Sequence, residues 1–184
     1  MEKRIFNYDI MPEIQERWSP RAFSDEKVSR EEILALLEAA RYAPSCFNEQ
    51  PWRFRIADDE ASLAKMRSVL TDSNREWASR APVLILIAAV KTFEQNGAPN
   101  PWHTFDAGTA WGYLSLEAQR RGLITHAMGG FSKENARKAF DISEDLTIIT
   151  VVAVGKYGDK GSLSKENQER EYPQARERIE DLLL

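Results

Sequence analysis

Apolar and polar positions along the chain predict helices interleaved with a few short strands. Two continuous apolar runs, at residues 83–90 and 146–154, have the length of strands that are buried on both faces. Shorter strands are predicted at residues 54–56 and 123–128. Because the segments between these strands are irregular, we expect an α+β fold in which a small, mostly antiparallel sheet lies between layers of helices.

Helical periodicity is clearest after Ser29, which can form a capping box with Glu32, and Pro44 ends that helix. No internal repeat or low-complexity linker divides the chain, so we expect a single domain over residues 1–184. Other helices are predicted at residues 9–18, 61–70, 74–80, 104–121 and 132–140, the first of them capped by Asp9. A last amphipathic helix is predicted to begin at Pro173, with an apolar face formed by Ala175, Ile179, Leu182 and Leu183.

The long helix predicted at residues 104–121 has an unusual face, on which Gly108, Gly112 and Ser115 align. Each glycine costs a helix about 0.5–1 kcal/mol relative to alanine, so two of them indicate that another backbone approaches this face closely. That backbone belongs either to the same chain or to a second copy in a dimer. The apolar C-terminal residues 182–184 also favour a partner subunit that would cover them.

Composition narrows the classes of function. The chain has 25 Lys and Arg residues against 29 Asp and Glu residues, and the net charge of −4 disfavours nucleic-acid binding. No segment has the roughly 20 consecutive apolar residues of a membrane span, and the N-terminal residues resemble no signal peptide. A single cysteine, Cys46, excludes a disulfide within the chain. We therefore expect a cytoplasmic protein that binds neither nucleic acid nor membranes.

Few side chains in this sequence act as catalysts without a cofactor. There are two histidines, His103 and His126, too few together with one cysteine for a zinc site of the Cys/His type. The sequence has no phosphate-binding G-x-x-x-x-G-K-[ST], no G-x-G-x-x-G after a strand and no G-x-S-x-G. A nucleophilic pair of Cys46 with either histidine stays open as an alternative. We expect instead that a cofactor supplies the chemistry, and we predict no catalytic side chain and no metal ligand.

One short segment near the N-terminus has the groups that a phosphate requires. Arg17, Ser19 and Arg21 place two forked guanidiniums and a hydroxyl within five residues at the end of the first predicted helix. The alternative interpretation is a solvated surface with two arginines.

Two further segments have the character of ligand-binding loops. Residues 43–52, A-P-S-C-F-N-E-Q-P-W, combine donors and acceptors that suit a flat heterocycle with carbonyls and ring nitrogens. Gly129 and Gly130 follow a predicted strand and let backbone N–H groups approach a ligand closely. A polar connecting loop and a tight turn are the respective alternatives.

In their order and spacing, these segments resemble the nitroreductase family. The resemblance covers most of the chain, and the combination of motifs carries it. The matching positions are Arg17, Ser19 and Arg21 (R-x-S-x-R), residues 43–52 (A-P-S-x-x-N-x-Q-P-W), Asn74 ahead of A-P-V-L-I, the helix from Asp106, and the G-L and M-G-G-F sequences that follow it.

This resemblance implies a three-layer fold and an intertwined homodimer with FMN bound between the subunits. Arg17, Ser19 and Arg21 would hold the phosphate and ribityl chain, with Trp18 contributing locally. Either Arg176 or Arg178 would close on the phosphate. The remaining implied flavin contacts are Ser45, Cys46, Asn48 and Gln50 from the other subunit, Asn74 at the pyrimidine side of the ring, and Met128, Gly129 and Gly130 over the isoalloxazine.

The resemblance also implies an activity. NADH or NADPH would reduce the bound FMN, which would then reduce a flat, electron-poor acceptor such as a nitroaromatic or a quinone by a ping-pong route. Two alternatives are a specialised branch of the family that fragments flavin, removes halogen or dehydrogenates its substrate, and a flavin-binding module without fast turnover.

Overall fold

A four-stranded antiparallel sheet forms the centre of the molecule, of which the computed structural model describes residues 4–184. The order across the sheet is β1-β2-β4-β3, so β1 and β3 are the two edge strands. Both long apolar runs are central strands, and the predicted antiparallel sheet is confirmed. The strands are β1 (Trp52–Ala57), β2 (Val83–Val90), β3 (Ile124–Met128) and β4 (Leu146–Gly155).

Helices cover both faces of this sheet and complete a three-layer α+β fold. Ile85 and Leu86 in β2 show the division, because neighbouring residues of a strand point to opposite faces. Ile85 packs in a core with the second and fifth helices, and Leu86 packs in a core with the third, fourth and sixth. The helices are α1 (Pro12–Glu16), α2 (Arg30–Arg41), α3 (Glu60–Val69), α4 (Asp72–Ala78), α5 (His103–Arg120), α6 (Lys133–Phe140) and α7 (Lys165–Glu169).

Side-chain caps begin the helices that the sequence predicted most clearly. Ser29 Oγ accepts a hydrogen bond from the amide of Glu32 at 3.1 Å, and the Glu32 carboxylate accepts from the amide of Ser29 at 2.8 Å. This is the predicted capping box of α2. Ser132 caps α6 through a single hydrogen bond, which its hydroxyl accepts from the amide of Asn135.

The two ends of the chain differ from the prediction. The first helix begins at Pro12 after Met11, so the predicted cap at Asp9 is wrong. The predicted helix after Pro173 is also wrong, since only a short 3₁₀ turn (Ile179–Leu182) forms there. Its apolar side chains are exposed, and a short helix without an apolar surface to pack against is marginal in water. By contrast, α7 forms within a stretch that the sequence marked only as charged.

The glycine face of α5 is open in this chain. Beyond the neighbouring backbone of α5 itself, a Cβ atom added at Gly108 or Gly112 would meet no atom of residues 4–184 within 4 Å. Close packing inside the same chain therefore does not explain these glycines. Over the same residues, no helix has the length and apolar character that crossing a membrane requires.

Candidate functional site

The segment that carries Arg17, Ser19 and Arg21 leaves α1 and runs beneath the edge strand β3. His126 in β3 donates a hydrogen bond from Nδ1 to the carbonyl oxygen of Pro20 at 2.9 Å. On the other side of the segment, the Glu171 carboxylate accepts hydrogen bonds from the backbone amide of Arg21. The segment is thus fixed from two directions by residues distant in sequence.

Three guanidinium groups meet near this segment. Arg17 donates to Ser19 Oγ at 3.4 Å and to the carbonyl of Trp18 at 3.1 Å. Arg4 donates to the carbonyls of Gln15 and Arg17, which brings it beside Arg17. Burial lowers the pKa of Arg17, and repulsion from Arg4 and Arg176 lowers this pKa further. Within the described residues no carboxylate lies close enough to any of the three to form an ion pair.

A cavity of about 850 Å³ opens beside these arginines, between the N-terminal and C-terminal segments of the chain. Both C-terminal arginines of the prediction line it, but their surroundings differ. Arg176 is near enough to Arg4 and Arg17 to lower the pKa of both. The guanidinium of Arg178 instead pairs with Glu180 at 3.2 Å. Of the two, Arg176 is therefore the residue that joins Arg4 and Arg17, and these three arginines form one cationic cluster.

A second group of predicted residues meets where β3 ends. The carbonyl of Gly130 accepts hydrogen bonds at 3.0 Å from the side-chain amide of Asn74 and from the amide and hydroxyl of Thr71. A Cβ at Gly130 would lie 2.6 Å from Asn74 Nδ2, so the close approach requires glycine. Gly129 has open space where its Cβ would be. Asn74, Gly129 and Gly130 therefore form one group, the Gly130 unit, which has an open side at Gly129.

The loop between α2 and β1 forms the third group. Phe47, Asn48 and Gln50 all have positive φ, with values of 53°, 57° and 50°. Such values are uncommon for residues other than glycine and are concentrated at ligand sites. The loop is held by a hydrogen bond from the Gln50 amide to Ser45 Oγ at 3.0 Å, and by another from the Cys46 amide to the buried carboxylate of Asp106 at 3.1 Å.

This loop and the Gly130 unit lie at opposite edges of the sheet. The loop precedes β1 and the Gly130 unit follows β3, with β2 and β4 between them. Three strand spacings of about 4.8 Å each separate the two edges. One chain therefore does not bring all the predicted residues together: the arginine cluster and the Gly130 unit share one side, and Ser45, Cys46, Asn48 and Gln50 lie on the other.

The reactive side chains of the sequence form no catalytic pair in residues 4–184. Both ring nitrogens of His103 are bonded, to the carbonyl of Asn100 and to Thr147 Oγ1. His126 packs against Trp77 with 4.5 Å between ring centroids, and burial lowers its pKa to about 4. Neither histidine is hydrogen-bonded to Cys46, and no group of three His, Cys, Asp or Glu side chains is arranged to hold a metal ion in these residues. The geometry therefore gives no support to a thiol enzyme.

Comparison with known proteins identifies the family. The model of the nitroreductase family matches residues 14–76 and 69–156. The chain belongs to the nitroreductase family. An FMN-containing oxidoreductase of known crystal structure superimposes with a TM-score of 0.94 and 34% identity, over 98% of this chain and 93% of the other.

Curated relatives agree with this assignment. A protein of Archaeoglobus fulgidus with the provisional name NADH dehydrogenase/NAD(P)H nitroreductase is 30% identical over 77% of this chain and 82% of its own length. An iodotyrosine deiodinase of Thermotoga neapolitana is 29% identical over 80% of this chain and 87% of its own length. The predicted fold and family are thereby confirmed, and the chain is an oxidoreductase of this family.

Sequence reasoning missed four residues that shape the site. Arg4 and Glu171 contact the Arg17–Arg21 segment from opposite ends of the chain, Thr71 holds the Gly130 carbonyl, and Asp106 holds the Ser45–Gln50 loop. Only Asp106 and Thr71 lay beside segments that the sequence had singled out. Nothing local in the sequence marks Arg4 or Glu171, because their roles depend on contacts across the whole chain.

Proposed function

We propose that this nitroreductase-family protein is an FMN-dependent NAD(P)H oxidoreductase that acts as a homodimer on flat, electron-poor acceptors. One observation carries the proposal: Arg4, Arg17 and Arg176 converge at the edge of a cavity, where burial and repulsion from neighbouring arginines lower the pKa of Arg4 and of Arg17. Like charges gathered without a carboxylate are typical of a site that is completed by an anion.

The phosphate of FMN fits this cluster. Guanidinium groups match phosphate oxygens with forked donors, and each charge-assisted hydrogen bond contributes about 1.5–3 kcal/mol. Ser19, already within hydrogen-bond distance of Arg17, adds a neutral donor. On the same side of the sheet, Asn74 has a side-chain amide oxygen and Gly129 an open backbone for the isoalloxazine ring.

A homodimer would complete the site. The Ser45–Gln50 loop lies at the opposite sheet edge from the Gly130 unit, so a partner subunit is the source from which this loop would reach the flavin. The open glycine face of α5 is a surface on which such a partner would pack. Several large apolar side chains near both termini are exposed in the single chain, including Ile5, Tyr8 and Leu183, and a dimer would cover them.

The cofactor would supply the redox chemistry, accepting hydride from NADH or NADPH and passing electrons to the acceptor. The chain's residues would bind and orient: the arginines fix the phosphate end, and Asn74 and the Met128–Gly130 backbone fix the ring. NAD(P)H and the acceptor would use the same open side next to Gly129 in turn, which predicts ping-pong kinetics. This route needs no side chain as a nucleophile, and His103 and His126 are both engaged in hydrogen bonds.

Visible absorption tests this function directly. The purified protein is mixed with FMN and then with NADH or NADPH under anaerobic conditions. We expect a bound yellow chromophore that bleaches with the nicotinamide and recovers its colour on adding a quinone or a nitroaromatic. A protein that ignores FMN would refute the proposal, and one that binds FMN without bleaching would favour a flavin-binding module without fast turnover.

Reductive dehalogenation is a second candidate, favoured by the similarity to the iodotyrosine deiodinase over 80% of this chain. The same reduced, flavin-loaded protein would then release iodide from an iodotyrosine. Iodide release at a rate comparable to quinone reduction would favour this candidate, whereas quinone reduction without iodide release would favour the first.

A further inference from the structure

Glu171 is a buried carboxylate that no sequence motif marks. The residue is only 4% exposed. It accepts hydrogen bonds from the amide of Arg21 at 2.9 and 3.0 Å and from the amide of Ala22 at 2.9 Å. A carboxylate in the interior is unfavourable unless such donors surround it, so these contacts determine where both the side chain and the two amides lie.

The amides that Glu171 binds belong to the segment that carries Arg17 and Ser19. The carbonyl of Pro20, immediately before these amides, accepts from His126, and the carbonyl of Ala22 accepts from the amide of Gly158 at 2.7 Å. Glu171 therefore fixes the orientation of the backbone amides of Arg21 and Ala22, which lie between these two carbonyls. The guanidinium of Arg17 and the hydroxyl of Ser19 depend on this backbone for their position.

The same residue also fixes the start of the C-terminal segment. The backbone amide of Glu171 donates to the carbonyl of Gln168 at 3.3 Å, and its carbonyl accepts from Lys160 Nζ at 3.3 Å. Arg176 lies a few residues further along, in a segment without regular structure. Glu171 thus connects the segment of Arg17 to the start of the segment of Arg176, and Arg4 connects the same two segments through the carbonyls of Arg17 and Gln174.

We infer that Glu171 is a positioning residue for recognition of the FMN phosphate. This inference rests on the proposed function. Glu171 would act on the cofactor only through other residues, because its oxygens are bonded to the amides of Arg21 and Ala22. It sets the relative position of Arg17 and Arg176, and through them the preference of the protein for FMN over riboflavin, which has the same ring system without the phosphate.

The test compares Glu171→Gln and Glu171→Ala with the wild-type protein. Glu171→Gln keeps the shape and one acceptor oxygen but removes the charge and the second acceptor. Glu169→Gln is the matched control, since Glu169 is an exposed residue at the end of α7 with the same change of charge. Dissociation constants for FMN and for riboflavin are measured with the cofactor-free proteins by flavin fluorescence, and circular dichroism melting shows that each variant is folded.

We expect Glu171→Gln to weaken FMN binding about tenfold, the size of one lost hydrogen bond to a phosphate oxygen, without a comparable change for riboflavin. Glu171→Ala should lower the preference for FMN further, and Glu169→Gln should leave it unchanged. Hydrogen exchange at the amides of Arg21 and Ala22 should accelerate in both Glu171 variants.

Two results would overturn the inference, and they differ. In the first, the wild type binds FMN, and the Glu171 variants either lose affinity for FMN and riboflavin equally or lose affinity for neither. Glu171 then has only a structural role, and the proposed function stands. If the wild type binds no FMN at all, the proposed function fails and the inference fails with it. Should Glu171→Ala not fold, the comparison of Glu171→Gln with Glu169→Gln decides the question.

Discussion

The side-chain amide of Asn74 donates to the carbonyl oxygen of Gly130 at 3.0 Å, and this contact joins α4 to the end of β3. Both residues are predicted flavin contacts, and they come from segments more than fifty residues apart. Their proximity depends on the absence of a side chain at Gly130, where a Cβ would lie 2.6 Å from Asn74 Nδ2 and 2.9 Å from Thr71 Oγ1. Because this packing involves only protein atoms, it can be tested through the stability of the cofactor-free protein.

Gly130→Ala should destabilise the protein by about 1–3 kcal/mol, because Asn74 and Thr71 must move away from the added methyl group. Gly129→Ala is the control, since a Cβ there would meet nothing within 4 Å. The free energy of unfolding of the cofactor-free proteins, measured with urea, checks both. Equal stability of the two variants would contradict the packing described for Gly130.

Arg17→Ala should weaken FMN binding about ten- to a hundredfold, because one to two charge-assisted hydrogen bonds to the phosphate are lost. The cofactor-free protein should not lose stability to a similar degree, because removing Arg17 also removes its repulsion with Arg4 and Arg176. Titration with FMN and thermal melting without FMN measure the two effects.

Arg176→Ala and Arg178→Ala make a matched pair for the same site. Arg176 faces the cationic cluster, whereas Arg178 pairs with Glu180, so the first substitution should weaken FMN binding more than the second. A larger effect at Arg178 would show that the C-terminal segment holds the phosphate in another arrangement.

Local patterns predicted the sheet and the motifs well. The runs at Val83–Val90 and Leu146–Gly155 are apolar because both faces of a central strand are buried, and this signal needs no knowledge of distant contacts. The Ser29 capping box is equally local. The motif at Ser45–Gln50 was visible as a sequence, but its strained backbone and its place at the sheet edge were not.

Long-range contacts explain what the sequence did not predict. Glu171 bonds to Arg21 across most of the chain, and no spacing rule connects these positions. The segment after Pro173 has helical periodicity, yet its apolar residues find no surface in the single chain and the helix does not form. Periodicity predicts a helix only where tertiary packing stabilises one.

Gly112→Leu tests the proposed dimer. In the single chain a Cβ at Gly112 meets nothing within 4 Å, so we expect the subunit to fold, whereas a partner packed on this face of α5 would be displaced. We expect the molar mass in light scattering to shift from dimer to monomer, with a parallel loss of FMN binding because the Ser45–Gln50 loop would no longer be supplied. Ala64→Leu, on the exposed side of α3, is the control and should change neither property. A Gly112→Leu protein with the wild-type mass would refute this interface.

His126 should make stability depend on pH in the acidic range. Burial against Trp77 and the charges of Arg21 and Arg17 lower its pKa to about 4, while the hydrogen bond to the Pro20 carbonyl only partly opposes this shift. In the unfolded chain the pKa returns to about 6.5. Between these values the unfolded state binds more protons, so the free energy of unfolding should fall by about 3 kcal/mol as the pH is lowered from about 6.5 to about 4.

The variant His126→Gln separates this effect from the titration of carboxylates. Its amide can still donate to the Pro20 carbonyl but carries no titrating group, so this part of the pH dependence should disappear. Urea unfolding of both proteins at several pH values gives the comparison. The wild type should be more stable than the variant by the largest margin near pH 7, and this margin should shrink steadily as the pH falls. A margin that stays constant down to pH 4 would mean that His126 binds its proton at the same pH in the folded and unfolded states. The lowered pKa of His126 in the folded protein would then be refuted.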